Sequence, residues 1–396
     1  MVSSARPDAA RVRVDREIHA RSEDAAVTSP RGRLESVEAA RVLAIVAVLV
    51  IHATPFAHRT PPVRVGNVWD MATIANQLAR WAVPAFFVWS GYFWADGLAA
   101  RGAFAHGAFV RPHVHSALIW QATGRMVRRL ATLFAAWGVI FVLPYEGHLF
   151  QQATGLAVWQ AWSHALSRNV HWIVTHPGTV FLQGTNGHLW FLMALISAVT
   201  VSALVLTLQT AKPLGILTTL ALLLYGLFLL MEPYSKTRFG IPVAFNGRNG
   251  PMLSLLFFVM GLQLQRAGRR PTWVWQGALL LIVGAVMSVA ELTWLRGRGV
   301  SLAQDAVGGT VLVGTGVAML TLANPRWLQW RALSALAPSV LGVYLVHPVF
   351  VDLLEPLVIR AANPWVDLAE LLLIFGLSLG VVRLMARNPW TRAIVQ

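Results

Sequence analysis

A chain of 396 residues that is 56% hydrophobic and only 12% charged, with a mean hydropathy of +0.58, carries too little polar surface for a soluble domain of its length. It contains no cysteine, which excludes disulfides, thiolate metal sites and a thiol acyl-enzyme. A net charge of +15 with a pI near 11.5 would suit nucleic acid, but the arginines lie scattered between apolar runs, where they act as topology signals and contacts to anionic groups. No nucleic-acid partner is expected, and membrane lipids are.

Residues 1–38 are polar and Arg-rich, without an apolar run or a small-residue cleavage site, and read as a disordered cytoplasmic tail rather than a signal peptide. From residue 39 onward, a hydrocarbon core about 30 Å thick calls for roughly 17 to 25 mostly apolar residues per span. That ruler marks ten spans, at 39–57, 75–97, 127–147, 188–208, 213–231, 251–265, 272–293, 304–323, 335–359 and 364–386. The expected fold is an all-α, ten-helix membrane domain over 39–386, followed by a short cytoplasmic tail at 387–396. Two connections are long. Residues 98–126 form a cytoplasmic loop rich in His and Arg. Residues 148–187 form an outer loop with Trp159, Trp162, His164, His171, Trp172 and His176, a mixture that suits sugar faces and equally a helix lying among headgroups. There is no internal repeat and no inverted pair of broken helices.

Basic residues set the orientation. With the N-terminus inside, 21 fall on the cytoplasmic side and 10 on the other, Arg41 being intramembrane, and an even number of spans leaves both termini cytoplasmic. Carboxylates beyond the tail show the reverse bias, among them Asp70, Glu232, Asp305, Asp352 and Asp367, in keeping with a polar outward-facing pocket or with solvated loop ends.

Arg41 and His52 carry the chemistry of the first span, because ionisable groups inside a transmembrane helix are costly. Eleven residues apart, they differ by about 20° around a helix and are separated by about 16 Å along it. One face thus presents a cation near the cytoplasmic mouth and an imidazole deeper in. Acyl-CoA fits this arrangement. Guanidinium groups hold phosphates at the mouth, the pantetheine arm threads inward, and His52 serves as general base on an acceptor hydroxyl. The blander readings are a topology anchor for Arg41 and a hydrogen-bonded helix-end imidazole for His52. No metal site and no permanently bound cofactor are expected.

The segment from Glu38 through His52, the run Val83-Pro84-Ala85-Phe86-Phe87-Val88-Trp89-Ser90-Gly91-Tyr92, the run Gly187-His188-Leu189-Trp190-Phe191-Leu192 and the run Leu341-Gly342-Val343-Tyr344-Leu345-Val346-His347-Pro348 occur in that order. Together they resemble the acyltransferase-3 family of membrane acyltransferases, leaning towards the branch of the glucan biosynthesis C proteins. Where the family has Asp-Gly-Leu before its basic residue, this chain has Glu38-Ala39-Ala40, which keeps the acid and loses the glycine. The resemblance implies a multi-pass protein of a bacterial cytoplasmic (inner) membrane. It further implies transfer of a small acyl group, acetyl or succinyl in class, from cytoplasmic acyl-CoA (acetyl-CoA first) to a hydroxyl of an extracytoplasmic glycan or glycolipid. The family's Arg-x-x-Arg pair is matched by Arg125 and Arg128, placing them with Arg41 as CoA-binding residues, while Glu38, His188, Tyr344 and His347 fall at substrate-binding positions. A hydrogen bond from His347 to the Tyr344 hydroxyl is the structural alternative, and Ser90 beside Gly91 reads as helix packing rather than a nucleophile. An exporter of a polar lipid or sugar, or a regulatory lipid-binding protein, remains the competing class.

Overall fold

The computed structural model describes residues 34–57, 63–103, 112–145, 156–208, 210, 212–243, 245–361 and 363–395. Residues 35–396 form one unit, apart from Met1–Leu34. The disordered tail expected at the N-terminus therefore lies almost wholly outside the described residues. Among those described there is no strand.

The longer helices among the described residues are α1 (Glu35–Ala53), α2 (Met71–Ala79), α3 (Ala82–Ala99), α4 (Pro112–Ile140), α5 (Leu156–Thr175), α6 (Pro177–Gln183), α7 (Trp190–Leu206), α8 (Pro213–Met231), α9 (Pro251–Ala267), α10 (Trp273–Arg296), α11 (Thr310–Leu322), α12 (Val340–Ala361) and α13 (Pro364–Met385). Their starts follow local chemistry. Asp70 caps α2 by accepting the Thr73 amide, and Asn363 caps α13. Proline stands in the first turn of α6, α8, α9 and α13, where its missing N–H costs no hydrogen bond.

Among the described residues, six helical segments are long and apolar enough to cross a membrane, at Glu35–Ala53, Gly187–Leu206, Pro213–Met231, Trp273–Arg296, Arg331–Pro356 and Pro364–Met385. The other four segments read as spans fall on α3, α4, α9 and α11. Three of these miss for visible reasons: α9 and α11 have only 17 and 13 residues, and α4 carries Arg125, Arg128 and Arg129 in mid-course. The segment 148–187, expected as a loop, holds two helices in its described part. Its polar faces, with Gln160, Ser163, His164 and Arg168, hide α5 from an apolar ruler.

The core sits between α3, α9 and α11, where Phe87, Trp89, Phe257 and Phe258 are fully enclosed. Gly91 and Gly261 let α3 and α9 touch backbone to backbone, since a Cβ on either would overlap a carbonyl of the other helix. Exposed Leu279, Ile282, Val286 and Val289 on α10, with Leu372 and Leu373 on α13, form apolar outer surfaces of the kind that lipid covers. Both ends of α1 are tied down. The Ser36 hydroxyl donates to the Thr321 carbonyl (2.5 Å) and to Asn324 Oδ1 (2.9 Å), and Asp367 accepts the Phe56 amide at 2.6 Å. The described C-terminal residues dock rather than trail, with the Ile394 carbonyl accepting from Trp137 of α4 and Val395 enclosed.

Candidate active site

Two cavities lie along one face of α1. The larger, about 630 Å³, is lined by Arg41, Arg101, Arg125 and Arg129 together with Phe86, Trp89, Ser90 and Trp94. The smaller, about 70 Å³, is lined by His52, His188, Arg80, Arg248 and Asp305 among apolar neighbours. Val48, Val83, Phe191 and Tyr344 line both and form the partition between them. Arg41, Val48 and His52 recur at seven and then four positions on α1, which is the helical spacing of one face.

His52, the penultimate residue of α1, is exposed, lines the small cavity and has no hydrogen-bond partner among the described residues. Its ring lies 5.1 Å from that of His347, which in turn lies 5.6 Å from that of His188. His347 on α12 is fully buried. Its Nδ1 sits 2.7 Å from the Tyr344 carbonyl, not the Tyr344 hydroxyl. The reason is local. Pro348 has no amide hydrogen to offer that carbonyl, so the imidazole supplies one. A carbonyl only accepts, so His347 Nδ1 carries the proton and Nε2 keeps its lone pair, buried without a partner among the described residues. The Tyr344 hydroxyl instead donates to the His188 carbonyl.

His188 is held by the turn that starts its helix. Asn186 accepts the His188 amide at 3.2 Å and faces His188 Nδ1 at 2.8 Å, while its own amide donates to Tyr145 at 2.6 Å. Glu38 is half-buried one turn before Arg41 on α1, and Arg125 lines the large cavity. Arg128 is exposed and does not line it; Arg129 does.

Residues 34–387 match the family model described as an acyltransferase domain, that of acyltransferase-3. The chain belongs to the acyltransferase-3 family. It is a membrane acyltransferase that takes an acyl donor and an acceptor, and the family does not favour an exporter. No curated protein and no solved structure matches it.

Three residues of this acyltransferase that the sequence registered only as outer charges meet at the small cavity. Asp305 Oδ1 pairs with Arg80 at 2.7 Å and Asp305 Oδ2 with Arg248 at 2.8 Å. Burial pushes the Asp305 carboxyl up, but Arg248 and Arg80 outweigh it and hold it below its ordinary value. Arg80 is braced by Asn76 at 3.0 Å, and the Arg248 guanidinium lies 5.2 Å from the centre of the Trp190 ring. A signal for Arg248 existed. Asn246-Gly247-Arg248 repeats the pattern of Asn186-Gly187-His188, and in both turns the Asn caps the turn leading into a helix and the third residue enters the same cavity.

Proposed function

We propose that this acyltransferase moves a small acyl group from acyl-CoA, acetyl-CoA first, held at the Arg41 mouth, to a hydroxyl of a glycan or glycolipid reaching His52 from the opposite side. What supports the reading is the order of a four-arginine mouth, a partition and an imidazole along the face of α1 that carries Arg41, Val48 and His52, with the other lining residues supplied by neighbouring helices. Arg41, Arg101, Arg125 and Arg129 would clamp the CoA phosphates, and the pantetheine arm would pass between Val48, Val83, Phe191 and Tyr344. His52 would take the proton from the acceptor hydroxyl as its oxygen attacks the thioester carbonyl. Collapse of the tetrahedral adduct breaks the C–S bond, and the thiolate recovers the proton, leaving an ester and free CoA. His347, whose ring lies 5.1 Å from that of His52, would help to position it. Under this reading the Arg41 mouth is cytoplasmic in a bacterial inner membrane, with both termini on that side, residues 39–386 forming the catalytic domain.

The test is mass spectrometry of surface glycans and lipids from cells with the gene, without it, and with His52→Ala. The expected result is one acyl mass increment present only with the wild-type gene. An increment that persists with His52→Ala at wild-type level would refute His52 as the base, and no increment in any fraction would refute the acceptor class.

A further inference from the structure

Two guanidinium groups on one carboxylate leave the Arg80–Asp305–Arg248 cluster at a net charge of +1. No other Asp, Glu, Lys or Arg is among the described residues lining the small cavity. A brace between loops needs one arginine per carboxylate, and the second is an uncompensated charge in a half-buried place, which is costly. The side chains of Arg80 and Arg248 are 14% and 27% exposed. Each guanidinium has five N–H donors, and the recorded bonds to Asp305 and Asn76 use only part of them. Arg248 Nε is buried without a partner among the described residues. Both arginines thus line the cavity beside His52 with charged N–H donors that no described residue accepts.

We propose that the Arg80–Asp305–Arg248 cluster is an anion subsite, receiving a carboxylate or phosphate carried by one of the two substrates. The proposal rests on the acyl-CoA reading for its geometry. A thioester that passes the partition from the Arg41 mouth leads with its acyl chain, so the chain's far end meets the arginines. An acceptor entering from the other side meets them as well. A terminal carboxylate on the acyl group and an anionic substituent on the acceptor offer the same bidentate chemistry to a guanidinium.

The test uses the full chain in nanodiscs and has two arms. In the first, binding of CoA, butyryl-CoA and succinyl-CoA is titrated; the two thioesters share four carbons and differ in a terminal carboxylate. In the second, binding of glucose and glucose 6-phosphate is titrated with CoA saturating. The subsite predicts a preference for the anionic member of about tenfold or more in at least one arm, the size of one charge-assisted contact. Arg248→Gln should abolish that preference and Arg248→Lys should retain part of it. Asp305→Asn, which takes the cluster from +1 to +2, should increase it, and this variant decides the matter if Arg248→Gln does not fold. Preference among thioesters assigns the anion to the acyl group; preference among sugars alone assigns it to the acceptor. Equal binding in both arms by a protein that binds CoA overturns the subsite, as does a preference that Arg248→Gln and Asp305→Asn lower alike. A protein that binds no CoA overturns the donor reading instead, and the sugar arm then still decides the subsite.

Discussion

Pro348 acts on its neighbour His347 through a hydrogen that it lacks. By withholding an amide hydrogen from the Tyr344 carbonyl it leaves an acceptor that His347 Nδ1 fills, and so fixes which nitrogen of a buried imidazole is protonated. Pro348→Ala returns the helical hydrogen bond and frees His347 to change tautomer. Turnover should fall about tenfold or more while the thermal midpoint holds or rises, a split read by running the transfer assay and thermal unfolding on the same preparation. Unchanged turnover would show that the tautomer of His347 does not matter to His52. For His52 itself, alanine should cost about 10²–10⁴-fold in turnover with folding near normal, because alanine offers no base in its place. A well-folded His52→Ala protein at wild-type rate would end the mechanism.

At the scale of elements, α1 holds its position because it is fastened at both ends, by Asn324 at the start and by Asp367 through the Phe56 amide just past His52. Phe56 has φ 68, in the left-handed region, so this turn is held by its surroundings rather than by preference. Asp367→Ala should lower stability by about 1–3 kcal/mol, the cost of stranding a buried donor, and Asp367→Asn should recover most of it by keeping an acceptor oxygen. Unfolding of the purified variants measures this, and equal losses from both would locate the effect in the charge instead. The shared face of Arg41 and His52 was legible because it depends on spacing within one helix. The phase of α4 was not. An Arg-x-x-Arg pattern gives a spacing, whereas the packing of Ala122, Leu130, Leu133 and Trp137 decides that Arg125 and Arg129 face the cavity and Arg128 does not. The Arg80–Asp305 pair, 225 positions apart in sequence, is visible only once the loops are folded together. The family resemblance was legible for a different reason, namely that four short runs kept their order across the whole membrane domain.

At the scale of the whole molecule, donor and acceptor are proposed to approach from opposite sides of one protein, and this gives separable predictions. Arg125→Gln and Arg129→Gln should each weaken CoA-thioester binding about tenfold or more, while Arg128→Gln, off the cavity, should leave it nearly unchanged. Titration of the three purified variants checks this, and equal effects would mean that these arginines act through overall charge. A single cysteine introduced at exposed Ser167 in this cysteine-free chain should react with an impermeant maleimide from outside the cell and not from the cytoplasm. Labelling from the cytoplasm alone would invert the proposed orientation. The partition of Val48, Val83, Phe191 and Tyr344 has one more consequence. A cationic vestibule facing a histidine chamber through a membrane would short-circuit the proton-motive force if water ran continuously between them. In the proposed orientation two valines, a phenyl ring and a phenol would make the enzyme an electrical insulator between turnovers, so trimming Val83 to alanine should be felt first as a proton leak in liposomes, before any loss of catalysis.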